Sequence, residues 1–378
     1  MVEAQTESVK RWMFNSTNTV LGRMEQYRRT GENNSLKLSN IKLALANSGT
    51  DQSVESRLAE HYIKKYSQIG LDNKGLSKDS IDNFISELPL TGYLKNELGL
   101  KPNKWAVWSN GLISTGGIDF TVNQLGRKNE SSGFTMGADT DLTENSLFGF
   151  AIREENEDVT ISTNGSKFNS DNINVSFYNT WKANENNFFD TFLSLGETTQ
   201  STTRVVDVSN NTTVAGKLKS KQAFGAIKYN FAKTFKKITF SNYSSFNFSY
   251  TMFDGYSEKG DSNLRLSFDD RDLKSTSLAL GTIVHLDFGL RASRLLPYIK
   301  LDFNDDLSEA STLKANYVTS SNQYTTNIKK DFSSSIRAET GFDWNFNNGW
   351  NLSTTMNRID KNGIGHQNFL KFNAFKIF

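Results

Sequence analysis

From Lys104 to the carboxyl end, apolar and polar residues alternate with a period of two. In IRAETGFDWNFNNGWNLS, residues 336 to 353, Ile336, Ala338, Thr340, Phe342, Trp344 and Phe346 hold one parity, and Arg337, Glu339, Gly341, Asp343 and Asn345 the other. Alternate side chains of a strand point to opposite faces, so this segment has one oily face and one wet face. Ile173, Val175, Phe177 and Trp181 alternate in the same way with Asn172, Asn174, Ser176 and Thr180, as do Phe246, Phe248, Tyr250 and Met252 with Asn247, Ser249 and Thr251. Leu278, Leu280, Val284, Leu286 and Phe288 repeat the pattern against Ala279, Gly281, His285 and Asp287. The pattern predicts 12 strands, centred near residues 109, 137, 152, 177, 192, 226, 247, 282, 300, 341, 354 and 372.

The spacing of these segments suggests connectors of two lengths. Short ones fall near Thr143–Ser146, Asn184–Asn187, Lys233–Lys237, Leu290–Arg294 and Asn347–Gly349, whereas 196–221, 254–274 and 304–333 read as long polar loops. Tight turns at one end and long loops at the other describe a bacterial outer-membrane barrel: all-β, transmembrane, antiparallel, up-and-down, 12-stranded. Closure leaves no strand edge unpaired and puts Ile336, Phe342, Trp344 and Phe346 against lipid. Trp181, Trp344 and Trp350 suit interfacial girdles, and the inward parity then collects Arg153, Lys228, His285, Asp287, Lys300, Asp302, Arg337, Glu339 and Asp343 in a wet lumen. A soluble β-sandwich also alternates, but it would not account for the connector lengths.

Residues 1–103 follow another rhythm. Val9, Met13, Thr17, Val20, Met24 and Tyr27 recur at helical spacing, and Gly31 follows Arg28 and Arg29 as a stop, which predicts a helix within 1–31. Weaker helical patterns at Val54, Leu58, Tyr62 and Ile63, and at Ile81, Phe84, Ile85 and Leu88, with Ser77 as a cap and Pro89 as a stop, make 32–103 a helical insert on the turn side of the barrel at 104–378.

Composition narrows the function classes. Hydrophobic residues make up 36% of the chain, yet 28 are Phe, and no stretch approaches the roughly 20 apolar residues of a membrane helix. Lys plus Arg number 43 against 41 Asp plus Glu, with no long basic run, so nucleic acid is not the expected partner. The absence of Cys removes thiolate chemistry and Cys-ligated metals. No secretory signal is visible in residues 1–30, so the chain is read as cytoplasmic or as lacking an upstream portion.

GFTMGADTDLTENSLFGFAI, residues 133–152, and TNTVLGRMEQYRR, residues 17–29, resemble two stretches of the autotransporter β-domain of type V secretion in Gram-negative bacteria. The first carries Gly133, Gly137, Asp139 and Gly149 at the spacing of that domain's second and third strands. The second resembles the linker helix that threads its pore, with Arg23, Met24 and Arg28 on the matching positions and Val9 on the same helix. Leu370, Phe372, Ala374 and Phe378 are similar to the terminal signal read by the barrel-assembly machinery, although Lys376 stands where an apolar residue is usual. The resemblance implies an outer-membrane translocator that secretes and anchors an amino-terminal passenger absent from this chain. It implies a monomer in outer-membrane lipid with loops at the cell surface, periplasmic chaperones as partners, and no cofactor or metal. In one branch of the family an asparagine of the pore helix cyclises and releases the passenger. Asn18, followed by Thr19, occupies that place, with Glu339, Asp343 or Asp287 as acidic helpers.

Other chemistry is weaker. Ser262 lies in a Gly-Asp-Ser triplet, but within a polar loop rather than after an apolar strand. Residues 72–82 have carboxylates that miss calcium-loop spacing. Of His61, His285 and His366, only His285 shares a predicted lumen face with a carboxylate, Asp287. The chain therefore reads as a transport protein, not an enzyme. The alternatives are a porin-like channel, which would lack a lumen-filling helix, and an outer-membrane hydrolase, which would need a convergent triad.

Overall fold

The computed structural model describes residues 1–30 and 105–376, except 121–124, 144, 162–164, 211, 261, 291–292, 309, 321, 329–333, 347–349 and 362–363. The expectations for the insert at 32–103, for Ser77, His61 and residues 72–82, for Gly31 and for Phe378 lie outside the described residues.

Twelve long strands form the wall. In chain order they are β1 (Trp105–Ile118), β2 (Arg127–Thr143), β3 (Ser146–Ile161), β4 (Lys167–Lys182), β5 (Asn187–Asp207) and β6 (Thr212–Phe235). They continue as β7 (Ile238–Phe253), β8 (Arg271–Leu286), β9 (Ser293–Asp306), β10 (Ser334–Phe346), β11 (Trp350–Lys361) and β12 (Gly365–Lys376). Each pairs antiparallel with its chain neighbour, and β1 closes on β12 from Val107↔Lys376 to Ile118↔Gly365. Closure gives every spanning strand two partners, the condition for a sheet to survive in hydrocarbon.

Parity decides which solvent each side chain meets. Ile336, Phe342 and Trp344 of β10 face outward at 60%, 37% and 38% exposure, while Arg337, Glu339 and Asp343 are buried inside. The outward run from Ile336 to Phe346 spans roughly 34 Å along the strand, or about 24 Å once tilted near 45°, which matches the apolar band of an outer-membrane barrel. At the turn end, Trp181 stacks on Phe189 with centroids 5.7 Å apart, and Phe189 meets Tyr229 at 5.2 Å.

The connectors depart from expectation. The stretch 196–221 is not a loop: β5 and β6 run through it, and the turn is confined to the residues between Asp207 and Thr212. Its Ser, Thr and Asn content suggested coil, but Thr198, Thr199, Thr202, Thr203 and Val205 are β-branched and continue the ladder. The two remaining long connectors are themselves folded. Tyr256–Ser257, Leu266–Phe268, Ser311–Tyr317 and Gln323–Ile328 form a four-stranded sheet beyond the barrel wall. An Ala215–Lys259 bridge joins that region to β6.

Among the described residues one α-helix is present, α1 (Val2–Thr30), and it occupies the bore. Its 29 residues span about 43 Å at 1.5 Å per residue. Glu3 in the first turn and Arg28 and Arg29 in the last complement the helix dipole.

Candidate functional site

The site is the lumen with the helix in it. One side of α1 packs on oil: Val9, Trp12, Met13, Val20, Leu21 and Met24 form one cluster with wall residues that include Tyr178, Phe192 and Phe224. Trp12 meets Phe224 edge-on with centroids 5.7 Å apart and lies over Gly196, where a Cβ would come within 2.4 Å of the indole. Unlike an ordinary amphipathic helix, α1 also buries polar residues, among them Gln5, Ser8, Asn15 and Ser16, because the opposing wall is itself polar.

Charged residues fix the helix at successive heights. Near its start, Glu7 pairs with Arg127 and with Lys361 at 2.7 Å, and Arg11 Nε donates to Glu157 at 2.6 Å. At mid-helix, Asn15 donates to Glu155 at 2.9 Å, and Arg23 donates to both oxygens of Asp139 at 2.9 and 3.1 Å. Asp139 also accepts from Tyr178, whose hydroxyl takes the Trp108 indole N–H at 2.7 Å. Lower down, Glu25 meets Lys228 and, at 2.8 Å, Lys300. Arg28 donates to Asp190 at 2.5 Å and Arg29 to Asp343 at 2.8 Å, with the Arg29 guanidinium 4.1 Å above the Tyr298 ring.

This network gives the motif glycines a physical role. The Trp108 indole covers Gly137, and the Tyr178 ring covers Gly149, each so closely that a Cβ would fall within 2.5 Å of ring atoms. The Arg153 guanidinium covers Gly133 in the same manner. Small residues in β2 and β3 thus let large neighbours lie flat along the wall, which leaves room for α1.

The helix has a direction. Ala4 packs with Val159, Ile161 and Phe168 beside the β3–β4 connector, and Val2 packs with Phe268, Leu313 and Ile328 of the small sheet. At the other end, the Thr30 carbonyl accepts from Arg294 at 2.9 Å, and Tyr27 donates to Asp141. The amino terminus lies at the loop end, and Thr30 lies at the turn end, where β1 also begins.

Of the lumen residues expected from parity, Lys228, Lys300, Arg337, Asp343 and Arg153 touch α1 directly. Asp302 instead holds Arg337 at 2.7 Å, and Glu339 accepts from Tyr298 at 3.1 Å. His285 is buried inward. Asp287 corrects the expected His285–Asp287 pair: the ladder breaks after Leu286, and Asp287 sits at the rim in a bidentate pair with Arg294 at 2.8 and 2.6 Å. That guanidinium holds its carboxyl below the usual carboxylate range. Glu155, Glu157, Asp190, Arg127 and Lys361 meet the helix without having been singled out by sequence, whereas Asp139, a motif residue in the sequence, is the partner of Arg23. Leu370, Phe372 and Ala374 face outward on β12.

The self-cleavage geometry is not present. Asn18 Nδ2 donates to the Phe14 carbonyl at 2.9 Å and its Oδ1 accepts from Arg337 at 2.6 Å, so the amide nitrogen points back along the helix, away from its own carbonyl carbon. Thr19 donates to the Asn15 carbonyl, and the described contacts of Glu339, Asp343 and Asp287 are to groups other than Asn18. Ser262 accepts from the Leu264 N–H at 3.0 Å, a local turn contact.

A closed wall, oily outside and polar inside, with the chain's own helix seated in the bore, defines a self-plugged outer-membrane barrel. The autotransporter beta-domain family model matches residues 107–357. The chain belongs to this family, the translocator domains of type V secretion, and is a transport domain rather than an enzyme. Its structure is similar to the translocator domain of autotransporter NalP from Neisseria meningitidis at 14% identity and a TM-score of 0.61, over 79% of this chain and 98% of that one. It is likewise similar to the beta domain of the Bordetella autotransporter BrkA, at 15% identity and a TM-score of 0.56, over 72% of this chain and 99% of that one. At such identities the likeness speaks for the fold. No curated protein sequence matches the chain.

Proposed function

We propose that this barrel carries a passenger joined ahead of Met1 across the outer membrane, then holds α1 in the bore as both plug and anchor. The observation that carries the reading is the burial of α1 on every side, with its charges paired to the wall and its amino terminus at the loop end. In this reading the loop end faces the cell exterior. Periplasmic chaperones and the barrel-assembly machinery insert the chain, with Leu370, Phe372, Ala374 and Phe378 as the assembly signal. The closed wall has no free strand edge, which favours a monomer. The filled lumen disfavours an open porin.

The test is a reporter fused ahead of Met1 behind a secretory signal and expressed in a Gram-negative host. The expected result is a reporter digested by protease added to intact cells, with the barrel retained in the outer membrane. A reporter found only in the periplasm of cells with folded barrel would overturn the reading. Because Asn18 is tied to Phe14 and Arg337, the reporter is expected to stay covalently attached, with or without Asn18→Ala.

A further inference from the structure

The outward parity of β6 changes character once along the strand. From the turn end, Phe231, Tyr229, Ile227 and Ala223 face the lipid side; the next three residues of that parity are Lys221, Lys219 and Lys217, all exposed. At about 3.3 Å per residue, their Cα positions form a row roughly 13 Å long, beginning where the apolar band ends. In register, Lys221 lies beside Glu197 of β5 and Met252 of β7, Lys219 beside Thr199, and Lys217 beside Ser201. Lys274 of β8, also exposed, lies opposite Tyr250, which lies opposite Ala223. The Tyr250 hydroxyl occupies Asp272 at 2.7 Å, so one of the nearby carboxylates already has a partner. Glu197, Asp254 and Asp171, which lies opposite Thr199, are the others that the register brings near.

These four lysines differ from those in the lumen. Lys228, Lys300 and Lys361 are each paired with a helix carboxylate, whereas none of the four makes an ion pair with a described residue. A row of like charges repels itself and gains nothing from water that separated lysines would not gain. An anionic partner with several charges at the same height removes the repulsion.

We propose that Lys217, Lys219 and Lys221, with Lys274 beside them, bind the phosphates of a glycolipid headgroup in the outer leaflet, whose acyl chains lie along Leu195, Ala223 and Phe248. The proposal rests on the loop end facing outward. Binding in micelles can be measured without that orientation, so the two can fail separately.

The experiment titrates the folded full chain in detergent with lipid A, a bis-phosphorylated acylated disaccharide, with the same lipid stripped of phosphate, and with dextran sulphate. Lipid A binding is expected to weaken about a hundredfold in K217A/K219A/K221A. It should persist in K217R/K219R/K221R and in K236A/K237A at the turn end, and vanish with the stripped lipid. The mobility shift between unheated and boiled samples establishes that each variant is folded. Equal binding by the wild type and the triple alanine variant, or by intact and stripped lipid, overturns the proposal. Dextran sulphate bound as tightly as lipid A also overturns it, since the row would then be a general polyanion patch.

Discussion

Asp139 receives three hydrogen bonds from two side chains, Arg23 of the helix and Tyr178 of the wall, and is buried. Removing one member of a buried charge pair leaves the other poorly compensated, at a cost of about 3–5 kcal/mol. Asp139→Ala is therefore expected to loosen α1 while leaving the wall folded. In planar bilayers the variant should open more often than the wild type, with an unchanged mobility shift on boiling. An unchanged opening frequency would show that Arg23 does not hold the plug. Residues of this kind were only partly legible in the sequence. Arg337 stood out because its strand alternates cleanly, and Arg153 because Phe148, Phe150 and Ile152 before it hold the other parity, but from Glu154 to Asp158 both parities carry charge, so Glu155 and Glu157 could not be told from Glu154 and Asp158. Trp108 and Tyr178 were hidden for the opposite reason, since an inward aromatic looks like a lipid-facing one until a facing glycine reveals the space it fills.

At the scale of elements, the helix and the strands were unequally readable. Each expected strand centre falls inside an observed strand, because a membrane wall forces oil and water onto opposite parities over its whole height. The polar ends of β5 and β6 escaped, since above the lipid both faces are wet and alternation no longer reports the ladder. For α1, the apolar spacing revealed one stripe, but nothing in a helix sequence announces that its polar face will also be buried. A chain beginning near Ser35, without α1, is expected to conduct in larger and more frequent steps than the full chain. A cavity of about 220 Å³ separates α1 from the wall near Tyr243, Leu273 and Asn304. Identical conductance from the two chains would mean that α1 does not fill the bore in the membrane.

At the scale of the whole molecule, the small sheet beyond the wall closes over the start of the helix. Phe268, Leu313 and Ile328 pack on Val2 and Tyr256, and burial pushes the Tyr256 hydroxyl up to about 12. Deleting residues 311–328 is expected to expose the first turns of α1, with faster cleavage by added protease near Val2 and little change in barrel stability. Cleavage at the wild-type rate would show that the sheet does not shield the helix.

The direction of α1 also settles a question of parity. Twelve strands are an even number of crossings, so the wall returns the chain to the side from which it set out; β1 begins and β12 ends at the same rim. Thr30 and Trp105, the last described residue of the helix and the first of the wall, lie at that same rim. The helix is the thirteenth passage, and it alone makes the count odd. Anything attached before Met1 and anything attached after Lys376 must therefore emerge into different compartments. Pulling α1 out toward the turn side would bring both attachments into the same one.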